Sequence, residues 1–130
     1  MGCSITSING IIVKGLGEGA FFMSMPHYKN EIKKKLGFHA YPGTLNVKVT
    51  EKEFNSLKTS LPIKIEGFKK GNNIFGGAGC KRAKIDIING AIIMPEINKH
   101  TDILEFIATV HIKSTLKLKD GDKIQIELIE

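Results

Sequence analysis

The chain has 130 residues, 42% hydrophobic and 25% charged, the make-up of an ordinary globular protein, and a single domain over residues 1–130 is expected. Its formal charge of +6 suits polyanionic partners, whether nucleic acid or nucleotide phosphates. No apolar run reaches the length of a membrane span, residues 1–10 lack the build of a signal peptide, and Cys3 and Cys80 form no CxxC, so a cytoplasmic protein with two free thiols and no membrane partner is expected.

Residues 5–13 are β-rich and lead into a glycine cluster, Gly15, Gly17 and Gly19, with Phe21, Phe22 and Met23 read as a strand beyond it. Residues 26–36 form the main predicted helix. Ser24 is placed to cap it, Pro26 suits its first turn, Lys33, Lys34 and Lys35 complement its negative end, and Gly37 stands where a left-handed cap belongs. Tyr28, Ile32 and Leu36 fall at i, i+4 and i+8, which gives one apolar stripe.

Residues 45–49 alternate Leu45, Val47 and Val49 against Asn46 and Lys48, the pattern of a half-buried strand. Residues 62–68 and 81–88 also read as strands, joined by a loose glycine-rich stretch over 71–79. Asn89-Gly90, between Ile88 and the apolar run 91–94, is the strongest hairpin signal in the chain. Residues 103–109 make a further strand and 111–116 a short helical turn. Asp120-Gly121-Asp122 then turns into a final strand alternating on Ile124, Ile126 and Leu128. Many short strands with one main helix predict a mainly β protein, a small closed or nearly closed barrel. Such a barrel leaves no free edge, so a monomer is expected.

The basic runs Lys33-Lys34-Lys35, Lys69-Lys70 and Lys81-Arg82-Lys84 read as solvated faces. Glycines 15, 17 and 19 let the backbone approach a ligand, and successive N–H groups there can form a nest for phosphate oxygens. The cluster matches neither GxxxxGK[ST] nor GxGxxG, and a tight turn accounts for it as well; Glu18 at its centre is unsuited to an anion unless it points away or meets a metal.

Thr44 and Asn46, two apart on a strand, share a face. Their neutral oxygens suit magnesium, which takes few protein ligands; the solvated face of an amphipathic strand is the alternative. Glu105 interrupts an apolar strand, where a carboxylate can orient a substrate hydroxyl or simply face solvent. His27, His39, His100 and His111 are dispersed, so no serine–histidine–acid set and no zinc motif is legible.

Read together, six segments resemble one family. They are Gly15-Leu16-Gly17-Glu18-Gly19 with Phe21-Phe22; Pro26-His27-Tyr28; Gly37-Phe38 with Tyr41-Pro42-Gly43-Thr44-Leu45-Asn46; Asn89-Gly90-Ala91-Ile92-Ile93-Met94-Pro95; Glu105-Phe106-Ile107-Ala108; and Leu118-Lys119-Asp120-Gly121-Asp122. In that order they resemble the archaeal riboflavin kinases that use CTP and adopt a six-stranded cradle-loop barrel of the RIFT type.

The resemblance implies transfer of a phosphate from CTP to riboflavin, giving FMN and CDP, with Mg2+ as cofactor. It implies that Leu16, Gly17, Glu18, Gly19, Ala20 and Phe21 wrap the nucleotide diphosphate, and that Val110, His111, Ile112 and Lys113 form a second wall with Lys113 offsetting phosphate charge. Thr44 and Asn46 hold the metal on this reading, while Asn98 and Glu105 contact the flavin. Glu105 is the candidate for catalysis. Asn98 stands where the family pattern has a threonine, and Tyr41, flanked by Ala40 and Pro42, is assigned no ligand contact. Phosphoryl transfer needs positioning and charge stabilisation more than a nucleophilic side chain, so a nest, one metal and a lysine suffice. No nucleic-acid partner is expected. The runner-up is a DNA-binding regulator of the swapped-hairpin barrel type, which the +6 charge and the Asp120-Gly121-Asp122 turn also suit; a flavin-binding module without catalysis is a third.

Overall fold

Alternation along the strands is the pattern that closes this fold. On β2 (Leu45–Lys48), Leu45 and Val47 are buried and Asn46 and Lys48 take the opposite face. The same rule holds for β1 (Ser7–Val13), where Ile8 and Ile12 are fully buried. The computed structural model describes residues 7–15, 23–96 and 101–129.

Between β1 and β2 lies helix α1 (Pro26–Leu36), with its predicted bounds. Tyr28, Ile32 and Leu36 are its buried stripe, Lys33, Lys34 and Lys35 fill its last turn, and Gly37 caps it at φ 83°. Its N-cap is Met25 rather than Ser24 and makes no side-chain cap bond, the first turn relying on Pro26 instead. After β2 comes α2 (Glu51–Lys58), absent from the sequence reading. Thr50 and Glu53 build a reciprocal capping box there, the T-x-x-E pattern that marks a helix start.

Strands β3 (Ile63–Ile65), β4 (Phe68–Lys70), β5 (Asn73–Phe75) and β6 (Ala78–Ile85) follow, so the stretch 71–79 is not a loose linker but holds β5 and the start of β6. Next are β7 (Ile88–Pro95), β8 (Ile103–Ala108), the short α3 (Ile112–Leu116) and β9 (Lys123–Leu128). The hairpin between β6 and β7 turns at Asp86 and Ile87, with Ile85 opposite Ile88 and Asp86 at φ 55°. Asn89-Gly90 therefore lies inside β7. Gly90 is needed there for close approach, since a Cβ on it would stand 2.1 Å from the Ile107 carbonyl oxygen.

Six strands close into an antiparallel barrel in the order β6-β7-β8-β2-β1-β9, with β9 returning to β6. On β6, β3 occupies the first half of the outer edge, pairing with residues 78–80, and β9 the second, pairing with Ala83 and Lys84. The barrel thus has no free edge of its own. Ile12, Leu45, Val47, Ile92, Leu104, Phe106 and Ile126 fill its interior, joined by Phe54 and Leu57 of α2 and Ile112 of α3. Because α2 follows the C-terminal end of β2 while α3 follows the strand antiparallel to it, the two helices lie toward opposite ends of the barrel.

Helix α1 covers the outside. Its stripe packs on Ile65, Cys80, Ala91, Ile93 and Ile107, which project outward from β3, β6, β7 and β8. Burying an apolar side chain of this size stabilises by roughly 1.5–3 kcal/mol, so the helix is held by its stripe more than by its caps. Arg82 ties its end to the barrel by donating to the Leu36 carbonyl at 2.9 Å. No helix among the described residues is long and apolar enough to cross a membrane.

Candidate functional site

Register decides which polar side chains meet. On β2 and β8 the inward residues are Leu45, Val47, Leu104 and Phe106, so Asn46 and Glu105 take the outer surface, and they are directly paired across the two strands. Thr44 shares that face one step before β2, and its hydroxyl donates to the Glu105 carboxylate at 3.2 Å. The Asn46 amide nitrogen lies 3.4 Å from the Thr44 carbonyl. Three oxygen-bearing side chains from positions 44, 46 and 105 thus converge, all partly exposed.

Gly15 closes the cluster from the side of β1, where Val13 is opposite Asn46. A Cβ on Gly15 would stand 2.3 Å from the Asn46 amide nitrogen, so glycine here leaves the Asn46 side chain its position. Leu16, Gly17, Glu18, Gly19, Ala20 and Phe21, expected to wrap a diphosphate, and Asn98, expected to touch flavin, lie outside the described residues.

A cavity of about 320 Å³ opens beside the cluster. Gly15 and the segment 41–46 line one side, residues 110–113 the other, with Phe106 and Ala108 of β8 between them. The expected metal pair, Thr44 and Asn46, and the expected second wall, 110–113, are therefore brought to one cavity. The second wall is held by backbone bonds: Leu118 N–H to the Lys113 carbonyl at 2.8 Å, Gly121 N–H to Ile12 at 2.7 Å, and Ile12 N–H to Asp122 at 2.9 Å.

Lys113 stands at the rim in an ion pair with Asp120, both side chains partly exposed. A cation held this way by one surface carboxylate is loosely committed, since such pairs contribute only about 0–1 kcal/mol. Tyr41, to which the sequence reading gave no contact, lines the same cavity with its ring centroid 5.2 Å from that of His111. Its residue type, an aromatic just before a Pro-Gly turn, is the one signal that pointed to it. Among the described residues no group of three or more His, Cys, Asp or Glu side chains is gathered for a metal, so a cation here would have to accept neutral oxygens.

The fold is thus a closed six-stranded antiparallel barrel with oxygen donors, Thr44 and Asn46, beside one cavity. The family model CTP-dep_RFKase, described as "Domain of unknown function DUF120", matches residues 12–128, and the chain belongs to this CTP-dependent riboflavin kinase family. It is similar to the "Riboflavin kinase" of Pyrobaculum islandicum, 45% identical over 125 residues covering 93% of this chain and 59% of that protein. It is similar also to the "Riboflavin kinase" of Methanosarcina acetivorans, 39% identical over 124 residues covering 92% of this chain and 52% of that one. The chain thus spans little more than half the length of these relatives.

Proposed function

We propose that the chain is a riboflavin kinase, moving the terminal phosphate of CTP to the 5′-hydroxyl of riboflavin and releasing FMN and CDP. The observation that carries this reading is the meeting of Thr44 and Asn46, which line the cavity facing 110–113, with Glu105, which pairs with Asn46 and accepts from Thr44. Membership of the family supports the substrates.

Thr44 and Asn46 fit magnesium by donor type: two neutral oxygens beside one carboxylate, on an accessible rim where waters and phosphates can complete an octahedron. With its nitrogen turned to the Thr44 carbonyl, the Asn46 amide presents its oxygen as the ligand. Magnesium, when bound, supplies the charge that offsets the phosphates.

On this reading Glu105 accepts the hydrogen bond of the riboflavin hydroxyl and takes its proton as the new P–O bond forms. The old P–O bond breaks with its electron pair on the CDP oxygen. Lys113, exchanging Asp120 for phosphate oxygens, and the backbone from Gly15 onward hold the negative charge in place.

The test is direct. Riboflavin incubated with the protein, magnesium and CTP or ATP side by side is expected to yield FMN and CDP with CTP, measured by chromatography. Absence of FMN with every nucleotide and divalent cation tried would overturn the proposal.

A further inference from the structure

Two of the five large apolar side chains exposed among the described residues, Tyr41 at 40% and Val110 at 37%, lie in the cavity. Ligand cavities are lined mainly by apolar and aromatic side chains with a few well-placed polar groups, and this one combines Tyr41 and Val110 with Thr44 and Asn46. Tyr41 is held in place through its backbone. Its backbone N–H donates to the Ala108 carbonyl at 2.7 Å, and its carbonyl accepts from Gly43 at 2.8 Å. The His111 ring is tilted 38° to its own and is itself hydrogen-bonded to Ser114.

The company the pair keeps gives it its meaning. The ring of Tyr41 lies 3.7 Å from where a Cβ on Gly43 would stand, and Thr44 and Asn46 follow along the same wall, with His111 on the facing one. The cavity therefore brings oxygen donors, Thr44 and Asn46, and an aromatic surface, Tyr41 with His111, to one space. A nucleoside triphosphate carries the matching pair of features, a phosphate chain and a flat ring. We infer that Tyr41, backed by His111, is the surface on which the base of the phosphate donor stacks, a contact that positions the nucleotide and takes no part in bond making. This rests on the nucleotide reading of the cavity given above.

Titration calorimetry with CTP and with inorganic tripolyphosphate, each with magnesium, tests it on Tyr41→Ala and Tyr41→Phe. Stacking of one base on an aromatic ring predicts that Tyr41→Ala weakens CTP binding by about tenfold or more, while Tyr41→Phe stays within about threefold of the parent. Tripolyphosphate, which has no ring, is expected to bind all three proteins alike, and the loss with CTP is expected in KM rather than kcat. CTP affinity unchanged in Tyr41→Ala would overturn the inference. So would equal losses for CTP and tripolyphosphate, which would make the ring a structural support. A parent protein that binds tripolyphosphate but no nucleotide would overturn the nucleotide reading itself.

Discussion

Adding one methyl group at Gly15 asks whether the end of β1 and the 44–46 segment form one site. The Cβ of Gly15→Ala would lie 2.3 Å from the Asn46 amide nitrogen, whereas ordinary contact begins at 3.4 Å, so the amide must retreat by about 1.1 Å. The colliding atom is the far end of a partly exposed side chain, so the amide yields before the barrel does. Unfolding free energy should change by no more than about 1 kcal/mol, a Tm shift of at most about 5 °C. Catalysis should suffer far more, because a misplacement of about 1 Å at a positioning group costs on the order of 10²-fold in rate. FMN formation under saturating CTP and riboflavin, read beside a thermal melt, gives both quantities. Turnover within about threefold of the parent, with the melt unchanged, would refute the claim that Asn46 must keep this position.

Removing the proposed metal ligands outright, Thr44→Val with Asn46→Leu, is expected to lower turnover by at least about 10³-fold while the melt stays cooperative; an active double variant would remove the metal assignment. Cys80 provides a pH test of the outer layer. Burial under α1 pushes its thiol from the ordinary 9.0 up to about 12. The unfolded chain loses this proton near pH 9.0 while the folded chain keeps it, so the stability tied to the thiol is full below that pH and is lost as pH rises toward 12. In a Cys3→Ser background, thiol reagents should label the folded protein at pH 8 only on the timescale of unfolding. Labelling within seconds would contradict the packing of α1.

What sequence reasoning captured was periodic. The stripe Tyr28, Ile32 and Leu36 and the alternation Leu45, Val47 and Val49 report burial directly, and burial follows spacing. Local turn chemistry was less faithful. Asn89-Gly90 has the composition of a tight turn, yet Gly90 is required by the Ile107 carbonyl across the barrel, a neighbour 17 positions away. Asp86 and Ile87 carry the turn without its usual residues. Helix α2 was overlooked because eight residues with two buried side chains make a weak period, although its capping box was readable. At the site, Thr44, Asn46 and Glu105 were each visible as residues of suitable chemistry. Their adjacency was not, since it depends on a register between β2 and β8 that brings together positions about 60 apart. Asp120 as partner of Lys113 and the Tyr41–His111 ring pair are likewise products of tertiary closure.

The pairing of β1 with β9 is the longest-range closure of the barrel. Bringing Ile11 onto Lys123 closes a loop of 112 residues, against 33 for bringing Val13 onto Asn46, and the added entropic cost is only roughly 1 kcal/mol. The delay matters more than the cost. Until β9 is in place, β1 and the second half of β6 are open edges, able to recruit any extended chain nearby. The same step seats the Lys119–Asp122 turn on Ile12 and brings Asp120 to Lys113, completing the wall at 110–113. Docking of β9 therefore covers both edges and completes the wall of the cavity together. A ligand that binds across that wall would pull folding forward, acting as a chaperone for the protein that uses it.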